Sequence, residues 1–219
     1  MTDVDLGFVH RWVPGAIPDV PTLLVLHGTG GNEDDLLQLG ATLAPGAAML
    51  SPRGKILEHG MPRFFRRLAE GVFDLEDLHF RTHELADFVD RAADAYGFDR
   101  QHVVAMGYSN GANIAAALLL LRPDTLSGGA LFHAMVPLEP AHLPDLTAPH
   151  IFLGAGRRDP IVLPENTERL RELLLEAGAD VSMHWEMGGH ELNRGEIRAG
   201  QGWFAEHYLQ PESSTEQSG

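Results

Sequence analysis

The run Gly107-Tyr108-Ser109-Asn110-Gly111 directly follows a short apolar stretch ending at Met106 and precedes a segment rich in Ala and Leu. A serine in a G-x-S-x-G run between a strand and a helix is held out at the tip of a very tight turn. A side chain at either glycine would collide with neighbouring backbone, and the helix start supplies N–H groups and a positive dipole end. Such a serine can act as a nucleophile on a carbonyl carbon, whereas the five residues alone also read as a plain glycine turn. A serine nucleophile needs a base, and the base needs a group to orient it.

In this strand-turn-helix setting the partners follow the serine in the order Asp or Glu, then His, each on a loop at the carboxyl end of a later strand. Asp159 lies in Gly154-Ala155-Gly156-Arg157-Arg158-Asp159-Pro160, just past an apolar run, and reads as the orienting acid or else as an Asp-Pro turn or helix cap. Asp124 and Asp145 fall in loops on the opposite or outer side, and Asp180 precedes its strand. His190 follows the last strand in Met187-Gly188-Gly189-His190, where paired glycines let the loop curl toward the serine, so it is the expected general base. His184 falls mid-strand as a packing or surface residue. His133 ends an apolar strand at the correct sheet edge, where it either lines the pocket or is a satisfied core histidine. His79 and His83 share a helix face, as a metal pair or a solvated surface; with no third ligand in view, no metal is expected.

A second glycine-rich loop, His27-Gly28-Thr29-Gly30-Gly31-Asn32, follows the apolar run at 23–26. It reads as a phosphate cradle or as an oxyanion hole. It lacks the lysine of a Walker loop and the glycine spacing of a dinucleotide site. The oxyanion reading pairs the backbone N–H of Thr29 with that of Asn110, with His27 propping the loop by hydrogen bonds.

Positioning these loops requires alternating strands and helices. Apolar runs at 23–26, 48–51, 103–106, 130–132, 151–153 and 181–187 read as strands, with an antiparallel edge strand at 8–13. Helical patterns fall at 33–43, 76–96, 112–121, 164–177 and 193–207. The longest places Leu78, Leu85, Phe88, Val89 and Ala92 on one face and ends at Gly97. The class is therefore α/β, with a mostly parallel central sheet flanked by helices on both faces: the α/β-hydrolase fold, with no insertion long enough for a large lid. One domain is expected over residues 1–209, followed by a disordered polar tail at 210–219.

Composition narrows the partners. The chain has 219 residues, 44% hydrophobic, which suits a globular domain. A net charge of −15 repels nucleic acid and anionic membrane surfaces. Acidic composition with Lys55 as the only lysine fits either a high-salt habitat or codon bias. The absence of cysteine excludes disulfides, thiolate metal sites and a cysteine nucleophile. No stretch reads as a signal peptide or membrane span, so membrane insertion is not expected and the expected location is cytoplasmic.

Through the loop at 26–32, the elbow at 107–111, the segment 154–160 and Gly188-Gly189-His190, the chain resembles the phospholipase/carboxylesterase family of small α/β-hydrolases, related to acyl-protein thioesterases and more distantly to dienelactone hydrolases. The likeness runs from Leu23 to about Tyr208. It implies a carboxylesterase that hydrolyses short to medium acyl or aryl esters, with Ser109, Asp159 and His190 as triad and Thr29 and Asn110 as oxyanion donors. It implies no cofactor, a small-molecule ester as substrate, and is compatible with a homodimer. Asn110 and Ala112 stand where many members carry Gln and Gly, and Arg63-Phe64-Phe65-Arg66-Arg67 stands in place of a Trp-Phe-Asp segment, which argues against a lipidated-protein substrate. An acyl thioesterase or lysophospholipase on the same site, or a non-catalytic binding protein of the same fold, are the alternatives; a peptidase lacks a second domain to grip a peptide. Residues after strand ends nominate Arg53, His133 to Leu138, and Ile161-Val162 for the pocket, with Phe64 and Phe65 in a wall at 61–73. Arg53, Arg63 or Arg66 is read as holding a substrate carboxylate or as pairing with surface acids.

Overall fold

The computed structural model describes residues 5–209, so the tail at 210–219 lies outside the described residues. In chain order the elements are β1 (His10–Val13), β2 (Thr22–Leu26), α1 (Leu37–Leu43), β3 (Met49–Pro52), β4 (Ile56–Glu58), β5 (Met61–Arg63), β6 (Arg67–Ala69), β7 (Val72–Phe73) and α2 (Leu75–Tyr96). They continue as β8 (Val103–Tyr108), α3 (Asn110–Leu121), a 3-10 turn (Pro123–Thr125), β9 (Gly128–Phe132), β10 (His150–Gly156), α4 (Pro164–Glu176), β11 (Asp180–Glu186) and α5 (Arg194–Tyr208).

Seven strands form one sheet in the order β1-β3-β2-β8-β9-β10-β11. All neighbours are parallel except β1, which runs antiparallel to β3 at the edge with His10 opposite Pro52. The side-chain period of two sends alternate residues to opposite faces. Leu24, Leu26, Ala105, Leu131 and Leu153 pack with α2, α3 and α4, while Leu23, Val25, Val104, Met106 and Phe132 pack with α1 and α5. Both faces are therefore dry, which accounts for the near-continuous apolar strands in the sequence.

Helix limits follow local chemistry. Asp74 caps α2 by accepting from Asp77 N, and Gly97 ends it at φ 73°, a left-handed conformation. The helix expected from residue 33 starts only at Leu37. Between them Asp34 N donates to Asn32 Oδ1 and Asn32 N to Asp35 Oδ2, so short polar side chains hold the backbone in turns instead. Strands β4 to β7 were not legible in the sequence, because their two or three residues each carry no hydrophobic alternation. They form two hairpins, and the first turns on His59-Gly60, both at positive φ as a two-residue hairpin loop requires.

The elbow is where the fold is tightest. A Cβ on Gly107 would stand 2.6 Å from Ala112 N, and one on Gly111 would stand 2.1 Å from Leu26 O. Strand β8, helix α3 and strand β2 thus approach at backbone contact distance, which only glycine permits. Gly111→Ala is expected to cost at least about 2 kcal/mol of stability by overpacking. By contrast Gly202, within α5 and with nothing within 4 Å of its would-be Cβ, should gain roughly 0.5–1 kcal/mol on Gly202→Ala. Urea denaturation of the two variants checks the opposite signs.

Candidate active site

The loops after β2, β8, β9, β10 and β11 meet at the carboxyl edge of the sheet. Ser109 sits at the elbow between β8 and α3 with φ 52° and ψ −114°, a backbone conformation that a non-glycine residue adopts only under constraint. Its N–H donates to Phe132 O of β9, which fixes the turn against the sheet.

Ser109 Oγ lies 2.8 Å from His190 Nε2, and His190 Nδ1 lies 2.7 Å from Asp159 Oδ2. The carboxylate fixes the histidine tautomer, because Asp159 can only accept when ionised and Nδ1 must then carry the proton. Asp159 Oδ1 accepts from Ile161 N at 2.8 Å and Val162 N at 2.9 Å, and Oδ2 accepts also from His133 Nδ1 at 2.9 Å. Burial pushes the Asp159 pKa up, but these donors favour the charged form and together hold it below the ordinary carboxyl range. The loop bearing His190 is pinned twice over: Tyr108 Oη donates to His190 O, and Arg158 N donates to Gly188 O. Gly156 permits this, since a Cβ there would stand 2.2 Å from Gly189 O.

The loop at 27–32 lies beside the elbow. His27 Nδ1 donates to Gly28 O while its Nε2 accepts from Gly54 N, so the ring is a fixed neutral tautomer, and burial holds its pKa below the usual value. His27 therefore props the loop, as expected. Thr29 Oγ1 accepts from Arg63 Nη1, and Gly30 N donates to Pro62 O, so the first hairpin also braces the loop. The Asn110 side chain accepts from Phe64 N, leaving its backbone N–H in the first turn of α3, where no carbonyl four residues back within the helix can take it.

A cavity of about 290 Å³ opens beside Ser109, lined by Thr29, Arg63, Arg67, Phe73, Asn113, Met135 and Val162 among others. Of the residues nominated for this pocket, Met135, Ile161 and Val162 line it, whereas Arg53, Phe64, Phe65 and His133 point elsewhere. Arg53 forms a two-pronged ion pair with Glu33, at 2.5 and 2.6 Å. Phe64 is buried against the His27 ring, and Phe65 is buried with its ring edge-on to Phe73. His133 is fully buried behind Asp159. Residues 61–73 do form part of its wall, as expected of a segment rich in Phe and Arg, through Arg63, Arg67 and Phe73, while Phe64 and Phe65 are buried in the core. Arg66 bonds to Asp74 and Asp77 at the surface. His79 and His83 gain no third ligand among the described residues, whereas His150, Asp180 and His207 come together near the amino ends of β10 and β11.

Two residues of the site escaped the sequence reading. Asn113 accepts from Met135 N and borders the cavity, and Glu196, fully buried, reaches His133. Glu196 did carry a signal: Asn193 followed three residues later by Glu196 is a capping box, which places that carboxylate at the start of α5.

A parallel sheet with helices on both faces, and a serine, a histidine and an aspartate joined at its carboxyl edge, define the α/β-hydrolase class; the protein is an esterase-type serine hydrolase. Residues 62–192 match the model of the dienelactone hydrolase family, and the chain belongs to that family, the one the sequence resemblance placed as the more distant relation. It is 51% identical over 197 residues to MhqD of Bacillus subtilis (strain 168), a protein assigned no more finely than hydrolase, covering 90% of this chain and 98% of that one. The Bacillus cereus carboxylesterase structure is 50% identical with a TM-score of 0.88, covering 90% of this chain and 92% of that one. A carboxylesterase from Mesorhizobium loti is 29% identical with a TM-score of 0.84, covering 94% and 97%. Among the described residues no helix is long and apolar enough to cross a membrane.

The Asp159 balance has a pH signature. Its folded pKa lies below the ordinary 3.8, so its contribution to stability is complete above that value and is lost as pH falls through the lower folded value. Asp159→Asn should flatten the acid limb of stability against pH, below about pH 4. Urea midpoints taken across that range read it; parallel limbs for parent and variant would contradict the balance.

Proposed function

We propose that the protein is a carboxylesterase that cleaves short to medium acyl or aryl esters by way of an acyl-enzyme on Ser109, within one domain that needs no cofactor. The observation that carries the reading is the continuous hydrogen-bonded chain Ser109–His190–Asp159, with both links inside 2.8 Å. In this reading Ser109 Oγ attacks the ester carbonyl as His190 Nε2 takes its proton. Charge gathering on the carbonyl oxygen is met by the N–H groups of Thr29 and Asn110. The protonated His190 then hands its proton to the departing alcohol, and water, activated by the same histidine, releases the acid. Asp159 stabilises the imidazolium without taking the proton itself.

The size of the cavity favours a compact ester. About 290 Å³ lies at the lower end of small-ligand sites, too little for long acyl chains unless they run out of the opening. Apolar Phe73, Met135 and Val162 suit an acyl or aryl group. The carboxylesterase relatives at 50% and 29% identity support esters over thioesters.

Parent and Ser109→Ala proteins assayed side by side on an ester and thioester panel give the decisive comparison. The expected outcome is ester turnover by the parent, slower thioester cleavage, and a fall of several orders of magnitude, roughly 10³-fold or more, in the variant. Equal ester rates for the two proteins would end the reading; parental binding of esters without product, and no reaction with a fluorophosphonate, would favour a binding protein.

A further inference from the structure

The hydrogen-bonded chain does not stop at Asp159. The oxygen that accepts from His190 Nδ1 at 2.7 Å also accepts from His133 Nδ1 at 2.9 Å. His133 Nε2 in turn faces the carboxylate of Glu196, 3.1 Å from Oε1 and 3.3 Å from Oε2. His133, Asp159 and Glu196 all have side chains with at most 1% exposure. A neutral imidazole has one N–H and one lone pair. Between two carboxylates, that lone pair would face an anion away from water, where an unpaired polar contact is expensive. An imidazolium gives each carboxylate a donor.

The other groups around the ring do not change this count. His190 lies with its ring 5.1 Å away, Tyr108 sits edge-on at 5.9 Å, and the charged groups facing His133 are the two carboxylates. Burial disfavours the charged ring, but Glu196 and Asp159 outweigh it and raise the His133 pKa.

We propose that His133 and Glu196 are positioning residues of the hydrolase site: His133 is held as an imidazolium between two carboxylates, and its Nδ1–H is the second side-chain donor that keeps Asp159 ionised and aimed at His190. The proposal rests on the Ser109–His190–Asp159 reading. Glu196 adds a mechanical link, because Asn193 N donates to its Oε2 within the capping box of α5. Residues 190–193 are thereby tied at one end to Asp159 through His190 and at the other to His133 through Glu196. Neither His133 nor Glu196 borders the cavity, so substrate binding should be indifferent to both.

The backbone at His133 has φ 54°, which asparagine tolerates, and an Asn amide N–H stands near the place of Nδ1. His133→Asn therefore keeps the donor to Asp159 and loses the link to Glu196, whereas His133→Ala loses both. Glu196→Gln keeps the cap acceptor and offers an amide donor to a neutral Nε2, which removes the charge alone.

The experiment combines ester kinetics, normalised to reactive serine by fluorophosphonate titration, with ring nitrogen NMR of histidine-labelled parent protein. In the parent, one imidazole should keep both ring protons at about pH 8, well above an ordinary histidine pKa. His133→Ala should lower kcat about tenfold with KM little changed, and His133→Asn should recover most of that loss. Glu196→Gln should abolish the imidazolium signal and move the acid limb of the kcat/KM profile to higher pH, because a nearby positive charge is gone. A parent spectrum in which every ring is neutral at that pH overturns the proposal. So do parental kcat and pH profile in folded His133→Ala and Glu196→Gln, since a purely structural role would lower Tm and leave both unmoved. The NMR signal does not depend on turnover. Its presence, together with undiminished ester cleavage by Ser109→Ala, would place the failure in the triad reading instead.

Discussion

Asp159 gathers four N–H donors on two oxygens: Ile161 and Val162 from its own loop, His190 from the loop after β11, and His133 from the end of β9. A buried carboxylate is tolerable only when its lone pairs are met, and here meeting them brings three separate loops to one point. The same condition that lets the charge remain buried sets the tautomer of His190 and holds its ring within 2.8 Å of Ser109 Oγ. Stability of the carboxyl edge and the hydrogen bond to the Ser109 hydroxyl are consequences of one acceptor.

On the other side of the serine the constraint is steric. Backbone contact among β8, α3 and β2 at Gly107 and Gly111 forces Ser109 to φ 52°, and the first turn of α3 and the loop at 27–32 come with it to the same small volume. Strain of this kind persists only where the surroundings over-determine it, and the dry layers on both faces of the sheet supply that support. The rigid part of the site is therefore inherited from the sheet. Its wall is not: the hairpins from Ile56 to Phe73 are short, partly exposed and held to the loop at 27–32 by Arg63 on Thr29 and by Gly30 N on Pro62 O. Changes in that segment would alter the cavity wall while leaving in place the edge that carries Ser109, Asp159 and His190.

By itself the sequence determined the seven strands of the main sheet, the helices that cover it, and the order in which serine, acid and histidine appear. Apolar runs buried on both faces and glycines at backbone contacts leave patterns along the chain that do not depend on what lies opposite. The sequence also singled out His27 as a prop and Met135, Ile161 and Val162 as lining residues. It did not place Arg53, Phe64, Phe65 or His133, because which way a loop side chain points is decided by partners distant in the chain: Glu33 for Arg53, His27 for Phe64, Phe73 for Phe65, and Asp159 with Glu196 for His133. The hairpins were hidden for a related reason, as strands of two or three residues gain their stability from the surface they lie on and not from their own pattern. Periodicity and covalent order are properties of the chain, whereas the pairing of buried charges comes into being only when the sheet brings their loops together.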